Sequence, residues 1–169
     1  MSNLNEEGME LLYGEQITEF NKFRMENLTF KPNLSNQVLS GKNLSFAFLN
    51  GAICDKTNFS TCILKKTNLV QAELNNSTFD NSDLTDALFM YAEMKASTLR
   101  NCNMNRSDFM WANLQNSDLS NSNLRNTIFI EANLQHSILN DLNKNNAYIK
   151  SAKIDFTLWK GDDGNHGRT

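Results

Sequence analysis

The chain has 169 residues and a formal net charge of −3. That length suits one domain with its own core, and the near balance of charge argues against a basic nucleic-acid surface or an acidic tail. No segment reaches the ~18–20 uninterrupted apolar residues of a membrane span. The opening MSNLNEEGMELL lacks the basic start and apolar stretch of a secretory signal. Cys54, Cys62 and Cys102 are few and odd in number. They point to a reducing, cytoplasmic setting without a disulfide framework.

Residues 5–26 come first along the chain. Met9, Leu12, Tyr13, Ile17 and Phe20 fall mostly at spacings of three and four, which predicts an amphipathic helix. Glu6, Glu7 and Glu10 occupy its first turns, where the helix dipole favours acids. Gly8 and Gly14 are poor helix formers and weaken that helix.

From Leu34 onward the texture changes. Every fifth residue through Trp159 is large and apolar in 24 of 26 positions; Cys54 and Lys144 are the exceptions. Two residues before each stands Ala, Ser, Thr or Cys in 22 of the 26 cases. Runs such as ANLQN, SDLSN and SNLRN show the unit, and its phase holds across residues 32–161. A period of five fits neither the 3.6 of a helix nor the 2 of a strand. It fits a coil that turns a corner every five residues, burying one large and one small side chain per side. The unit LNKNN at 142–146 is irregular and would bury Lys144. An unpaired ammonium there costs several kcal/mol, so a bulge turning Lys144 outward is expected near 141–146. The end, KGDDGNHGRT, reads as a flexible tail, which leaves Phe156, Leu158 and Trp159 to close the column.

These in-phase units resemble the pentapeptide-repeat family, whose units are similar to A-[DN]-L-x-x. The resemblance covers about three quarters of the chain. It implies an all-β, right-handed quadrilateral parallel β-helix with four pentads per coil. The division expected is an N-terminal α-helical cap at 1–31, the β-helix solenoid at 32–161 and a tail at 162–169. At ~4.8 Å per coil the column is about 31 Å long. Each coil is stabilised by stacking on its neighbours. Both ends expose unpaired strand edges, and the N-terminal segment is expected to cover the first of them.

With four pentads per coil, residues 20 apart share a wall. Three walls are mostly polar outside. The fourth, centred on Leu49, Leu69, Phe89, Phe109, Phe129 and Ile149, is not. Its outward positions include Phe48, Val70, Leu88, Met90, Tyr91, Met110, Trp111, Ile128, Ile130 and Tyr148. Ten such side chains on one wall form a patch of about several hundred Å², the scale of a functional surface. Trp, Tyr and Met are enriched at protein interfaces. These ten are the candidate partner-binding residues, for a second copy in a two-fold homodimer or for another protein. The N-terminal segment folded back along the wall would be the alternative cover.

Signs of catalysis are sparse. His136 lies on a polar wall and His166 in the tail, neither near a placed acid or nucleophile. Cys62 and Cys102 share a wall two coils apart, ~10 Å, beyond the ~7 Å reach of a disulfide. No close Cys/His pair has metal-ligand spacing, so neither metal nor cofactor is expected, and the protein is read as non-enzymatic. The family includes proteins that resemble duplex DNA and protect bacterial DNA gyrase from quinolones. That gives an alternative partner, DNA gyrase. It requires a strongly acidic rod, whereas residues 32–161 carry twelve bases against eleven acids.

Overall fold

The structure, a computed structural model, describes residues 4–140 and 147–160. The expected bulge at 141–146 with Lys144, and the tail at 162–169, lie outside the described residues. From Asn33 onward the chain forms a right-handed parallel β-helix of four-sided coils. Bridges join each residue to the one 20 positions on: Asn33 to Ile53, Ile53 to Glu73, Glu73 to Glu93. The same register holds where strands β1 (Ile138–Asn140) and β2 (Leu158–Lys160) pair, Ile138 with Leu158.

Two backbone features make the five-residue step. First, each side of a coil donates upward and accepts from above: Leu34 N–H donates to Ile53 O at 2.7 Å, and Ile53 N–H to Pro32 O at 2.9 Å. Second, each corner is a β-turn closed from its fourth residue to its first, as from Ala92 N–H to Phe89 O at 3.0 Å. The third turn residue is left-handed at almost every corner, including Asn76, Asn81 and Asn116, with φ of 58°, 63° and 61°. Asn tolerates this region better than most side chains, which explains its abundance. Asn or Asp before the large residue adds another bond. Its carboxyl or amide oxygen accepts from the N–H two residues on, as at Asn58–Ser60 (2.9 Å), Asp83–Thr85 (3.1 Å) and Asp118–Ser120 (2.9 Å).

Inside, the large residues from Leu34 to Leu139 are buried, Cys54 among them. Phe89 stacks on Phe109 with centroids 4.5 Å apart, and Phe109 on Phe129 at 5.3 Å. The small inward residues leave room for this stack, and their hydroxyls find carbonyls. Thr57 donates to Leu34 O at 2.7 Å and Ser82 to Phe59 O at 2.7 Å.

The N-terminal segment forms two helices, α1 (Leu4–Tyr13) and α2 (Ile17–Glu26), where one amphipathic helix was expected. The break falls after Gly14, and Glu15 takes a left-handed φ of 56°. The buried face also differs. Met9, Leu12 and Phe20 are buried as expected, Tyr13 is exposed, and Phe23 and Arg24 complete the contact. Gly8 allows the close approach: a Cβ there would lie 2.6 Å from the Phe23 ring and 2.7 Å from Phe30.

The cap answers the unpaired edge of the first coil with specific bonds. Buried Arg24 donates to Phe30 O, to Phe48 O at 3.1 Å and to Asn50 O at 2.8 Å. Asn21 accepts from Phe48 N–H at 2.8 Å and donates to Phe46 O at 2.9 Å. The Glu15 carboxylate accepts from Asn43 N–H at 2.9 Å. Lys42, at a small inward position of the first coil, instead reaches Tyr13 O at 2.8 Å. The cap therefore sits on the end of the column and does not fold back along a wall. At the other end, Phe156 and Leu158 do not close the column as expected. They are 76% and 58% exposed, and Phe156 stacks on His136 at 4.9 Å. The side chain of Trp159 lies outside the described residues.

Replacing Arg24 by Met should destabilise the protein by more than about 3 kcal/mol, since several buried carbonyls lose their donor. Gly8→Ala should cost about 1–3 kcal/mol through overpacking against Phe23 and Phe30. Chemical denaturation measures both, and deletion of residues 1–26 should give aggregated protein by light scattering.

Acid should act through Asp80. Burial alone would raise its pKa, but the side-chain and main-chain bonds from Arg100 outweigh burial and hold the carboxyl below its usual range. A depressed folded pKa stabilises above the unfolded value of ~3.9, and the contribution is lost as pH falls through the folded value. Asp80→Asn should therefore be less stable than wild type at pH 7, with the gap in denaturation midpoints narrowing as the medium is acidified below the unfolded value of ~3.9.

Candidate protein-docking wall

The wall with Leu49, Leu69, Phe89, Phe109, Phe129 and Ile149 turned inward is the one with an apolar exterior. Three outward columns run along it. The residue before each large one gives Phe48, Asn68, Leu88, Asp108, Ile128 and Tyr148. The residue after gives Asn50, Val70, Met90, Met110, Ile130 and Lys150. The corner column gives Gly51, Gln71, Tyr91, Trp111, Glu131 and Ser151. All ten candidate residues therefore stand outside the column and on one wall. Phe48, Tyr91, Trp111 and Tyr148 are exposed, whereas Val70, Leu88, Met90, Met110, Ile128 and Ile130 are half-buried among their neighbours.

Tyr91 and Trp111 dominate the wall. Their rings stack at 4.8 Å with 12° between planes, near the spacing of adjacent coils. They are 50% and 46% exposed. Both sit at the left-handed corner position, with φ of 59° and 57°. A bulky side chain is disfavoured there by roughly 1–2 kcal/mol, which Gly would avoid and Asn reduce. Stacking returns about 0.5–1.5 kcal/mol. Aromatic residues take the same corner on other walls too, at Phe46, His136 and Phe156.

Asp108 interrupts the apolar field. Its carboxylate accepts from Met110 N–H at 2.9 Å, and its neighbours on the wall are Leu88, Met90 and Ile128. Among the described residues no salt bridge reaches it. Whatever covers this wall must answer that charge, since burying it unpaired costs several kcal/mol.

The sequence pattern missed the lower continuation of the wall. Met25 and Leu28, at the end of α2 and just beyond it, are 59% and 85% exposed. With Arg24, Phe48 and Asn50 they line a shallow hollow of about 140 Å³. Nothing in the five-residue phase marks these two, because they precede the repeat. Their signal would have been two large apolar residues off the buried face of the cap.

Two family models match the chain. One, described as a pentapeptide repeat region, covers residues 52–129, and one, described as pentapeptide repeats (8 copies), covers residues 33–65. Together they span more than half of the chain. The chain belongs to the pentapeptide-repeat family. No curated protein matches it in sequence. Several solved structures share the pentapeptide-repeat fold. A pentapeptide repeat protein from the Arabidopsis thaliana thylakoid lumen is 21% identical, covering 65% of this chain and 73% of its own, with a TM-score of 0.42. HetL of Nostoc sp., involved in heterocyst differentiation regulation, is 22% identical over 77% of this chain and 73% of its own, at 0.26. Full-length QnrB1, a plasmid-mediated fluoroquinolone resistance protein, is 20% identical over 73% of this chain and 83% of its own, at 0.29. At these identities the likeness is one of fold and brings no partner with it.

The thiols of this pentapeptide-repeat column are packing groups. Cys54, Cys62 and Cys102 are all buried and free. Burial pushes the Cys54 thiol well up, Cys62 to about 11 and Cys102 to about 12. The Cys62 Sγ–H donates to Leu39 O at 3.0 Å, and that of Cys102 to Phe79 O at 3.0 Å. Among the described residues no cluster of His, Cys, Asp or Glu could hold a metal ion, and no helix is long and apolar enough to cross a membrane. Native protein at pH 8 should not react with a thiol reagent such as Ellman's, while all three cysteines should react in denaturant; rapid native labelling would contradict the packing role.

Proposed function

We propose that the protein is a non-enzymatic interaction scaffold: a rigid column that docks a protein surface through its apolar wall. The observation that supports this most strongly is the stacked Tyr91–Trp111 pair, exposed at two left-handed corners of a mostly apolar wall. What sets these two apart from other large corner residues is the apolar wall around them, with Leu88, Met90 and Met110 alongside. The rigidity of the stacked coils keeps the field flat and preorganised, which lowers the cost of binding. A second copy of the chain is the simplest occupant, since one flat patch can meet its own copy.

Protection of DNA gyrase by duplex mimicry remains the lower-ranked reading. The repeat region carries twelve bases against eleven acids. Several acids are also neutralised in place, as Asp80 by Arg100 and Asp86 by Arg106. A surface that replaces DNA needs a continuous negative field.

Wild-type protein should be dimeric in solution by light scattering, and the Met90→Asp/Trp111→Asp variant should be a folded monomer with unchanged circular dichroism. A variant that retains the wild-type mass would remove the wall from the account of self-association. Affinity capture from the native cell, comparing wild type with Trp111→Asp, tests a different protein as the occupant.

A further inference from the structure

We propose that the partner of the apolar wall is a protein surface carrying an arginine among apolar side chains, and that its guanidinium pairs with Asp108 beside the Trp111 ring. This rests on the docking role of the wall and adds the chemistry of what docks.

The charges of the wall carry the argument. Most acids on the other walls hold a base, as Asp80 holds Arg100, Asp83 holds Lys65 and Asp86 holds Arg106. Asp108 and Glu131, both on the apolar wall, make no salt bridge among the described residues. Lys150, the one base on the outward columns of this wall, stands two levels above Asp108 and pairs with neither acid. The Asp108 Oδ1 accepts from Met110 N–H at 2.9 Å. Its Oδ2 has no donor among the described residues. A cover of hydrocarbon alone would strip water from this carboxylate and supply nothing in exchange. A guanidinium offsets that loss with two parallel N–H bonds.

The aromatic pair makes the same choice. Asp108 and Trp111 belong to one level, three residues apart, so their Cα atoms lie within ~10 Å. Stacking on Tyr91 occupies one face of the indole. The other face turns toward the next level, where Glu131 holds the same corner column. A planar cation is attracted to an indole face, and arginine stacks there better than lysine. Ring and carboxylates together select arginine over a neutral or acidic side chain.

Other covers fit less well. The acyl chains of a membrane would bury Asp108 without a donor. A second copy laid wall to wall brings Lys150 and no arginine from its outward columns. Six levels of ~4.8 Å and five residues of ~3.3 Å give a flat area of about 460 Å², short of the ~800 Å² per partner of standard interfaces. Self-contact through this wall is therefore weak and gives way to a partner whose arginine anchors the middle, where a few residues carry most of the affinity.

Labelled apolar heptapeptides with arginine, citrulline or glutamate at the centre test this by fluorescence anisotropy. The arginine peptide should bind at least about tenfold more tightly than the citrulline peptide, which has the same shape without the charge. Asp108→Asn should erase that difference and keep the fold, since Asn58 makes the same bond at the same position of its unit. Asp118→Asn, the matching change on another wall, should leave the difference intact. Equal binding of the arginine and citrulline peptides, with both lost in Met90→Asp/Trp111→Asp, overturns the arginine and leaves the wall as a docking surface. Binding of none of the peptides, or of phosphatidylcholine vesicles in preference to them, overturns a protein partner of this chemistry.

Discussion

The backbone ladder with its 20-residue register is the constraint on which everything else in this protein depends. Each coil side donates to the coil above and accepts from it, so neither the apolar interior nor any outer wall exists for a single coil. The five-residue step follows from closing that ladder with a left-handed corner. Once the step is set, the position of every side chain is set with it: large and small residues inward, three per side outward. The Phe89–Phe109–Phe129 stack inside and the Tyr91–Trp111 stack outside arise from one repeat, because both pairs are 20 residues apart.

A ladder of this kind has ends, and the ends are where the repeat ceases to explain the chain. The first coil faces no lower neighbour, and its free N–H and C=O groups meet side chains from α2 and from the turn before it. Arg24 is the clearest case. A guanidinium is a poor choice for an apolar contact, but its fork of donors suits a row of carbonyls. Burial lowers the pKa of Arg24, yet an arginine remains charged.

The repeat was legible because its signal is local and redundant: from Leu34 to Leu139 the sequence repeats one instruction, and each large residue lands inside. The candidate wall was legible for the same reason, since Leu88, Met90, Met110 and Trp111 are displaced from Phe89 and Phe109 by one or two positions. What stayed hidden depends on contacts between distant segments. Gly8 argues against a helix by propensity, but its lack of a Cβ is what lets Phe23 and Phe30 pack on α1. Arg24 reads as a solvated helix residue until the carbonyls of Phe48 and Asn50 are placed against it. Met25 and Leu28 lie before the repeat, so the period could not assign them to a wall. Phe156 and Leu158 fall at the corner and outward positions of their pentads, so the five-residue phase already places them outside the column.

A distance measurement across the column tests this account most directly. Spin labels at Ser35→Cys and Gln115→Cys lie on the same outward column, four coils apart, so their backbone positions should be about 19 Å apart with a narrow distribution. A broad distribution, or a mean far above that value, would show that the chain does not return to the same side every 20 residues. Met90, Tyr91, Met110 and Trp111 would then share no wall.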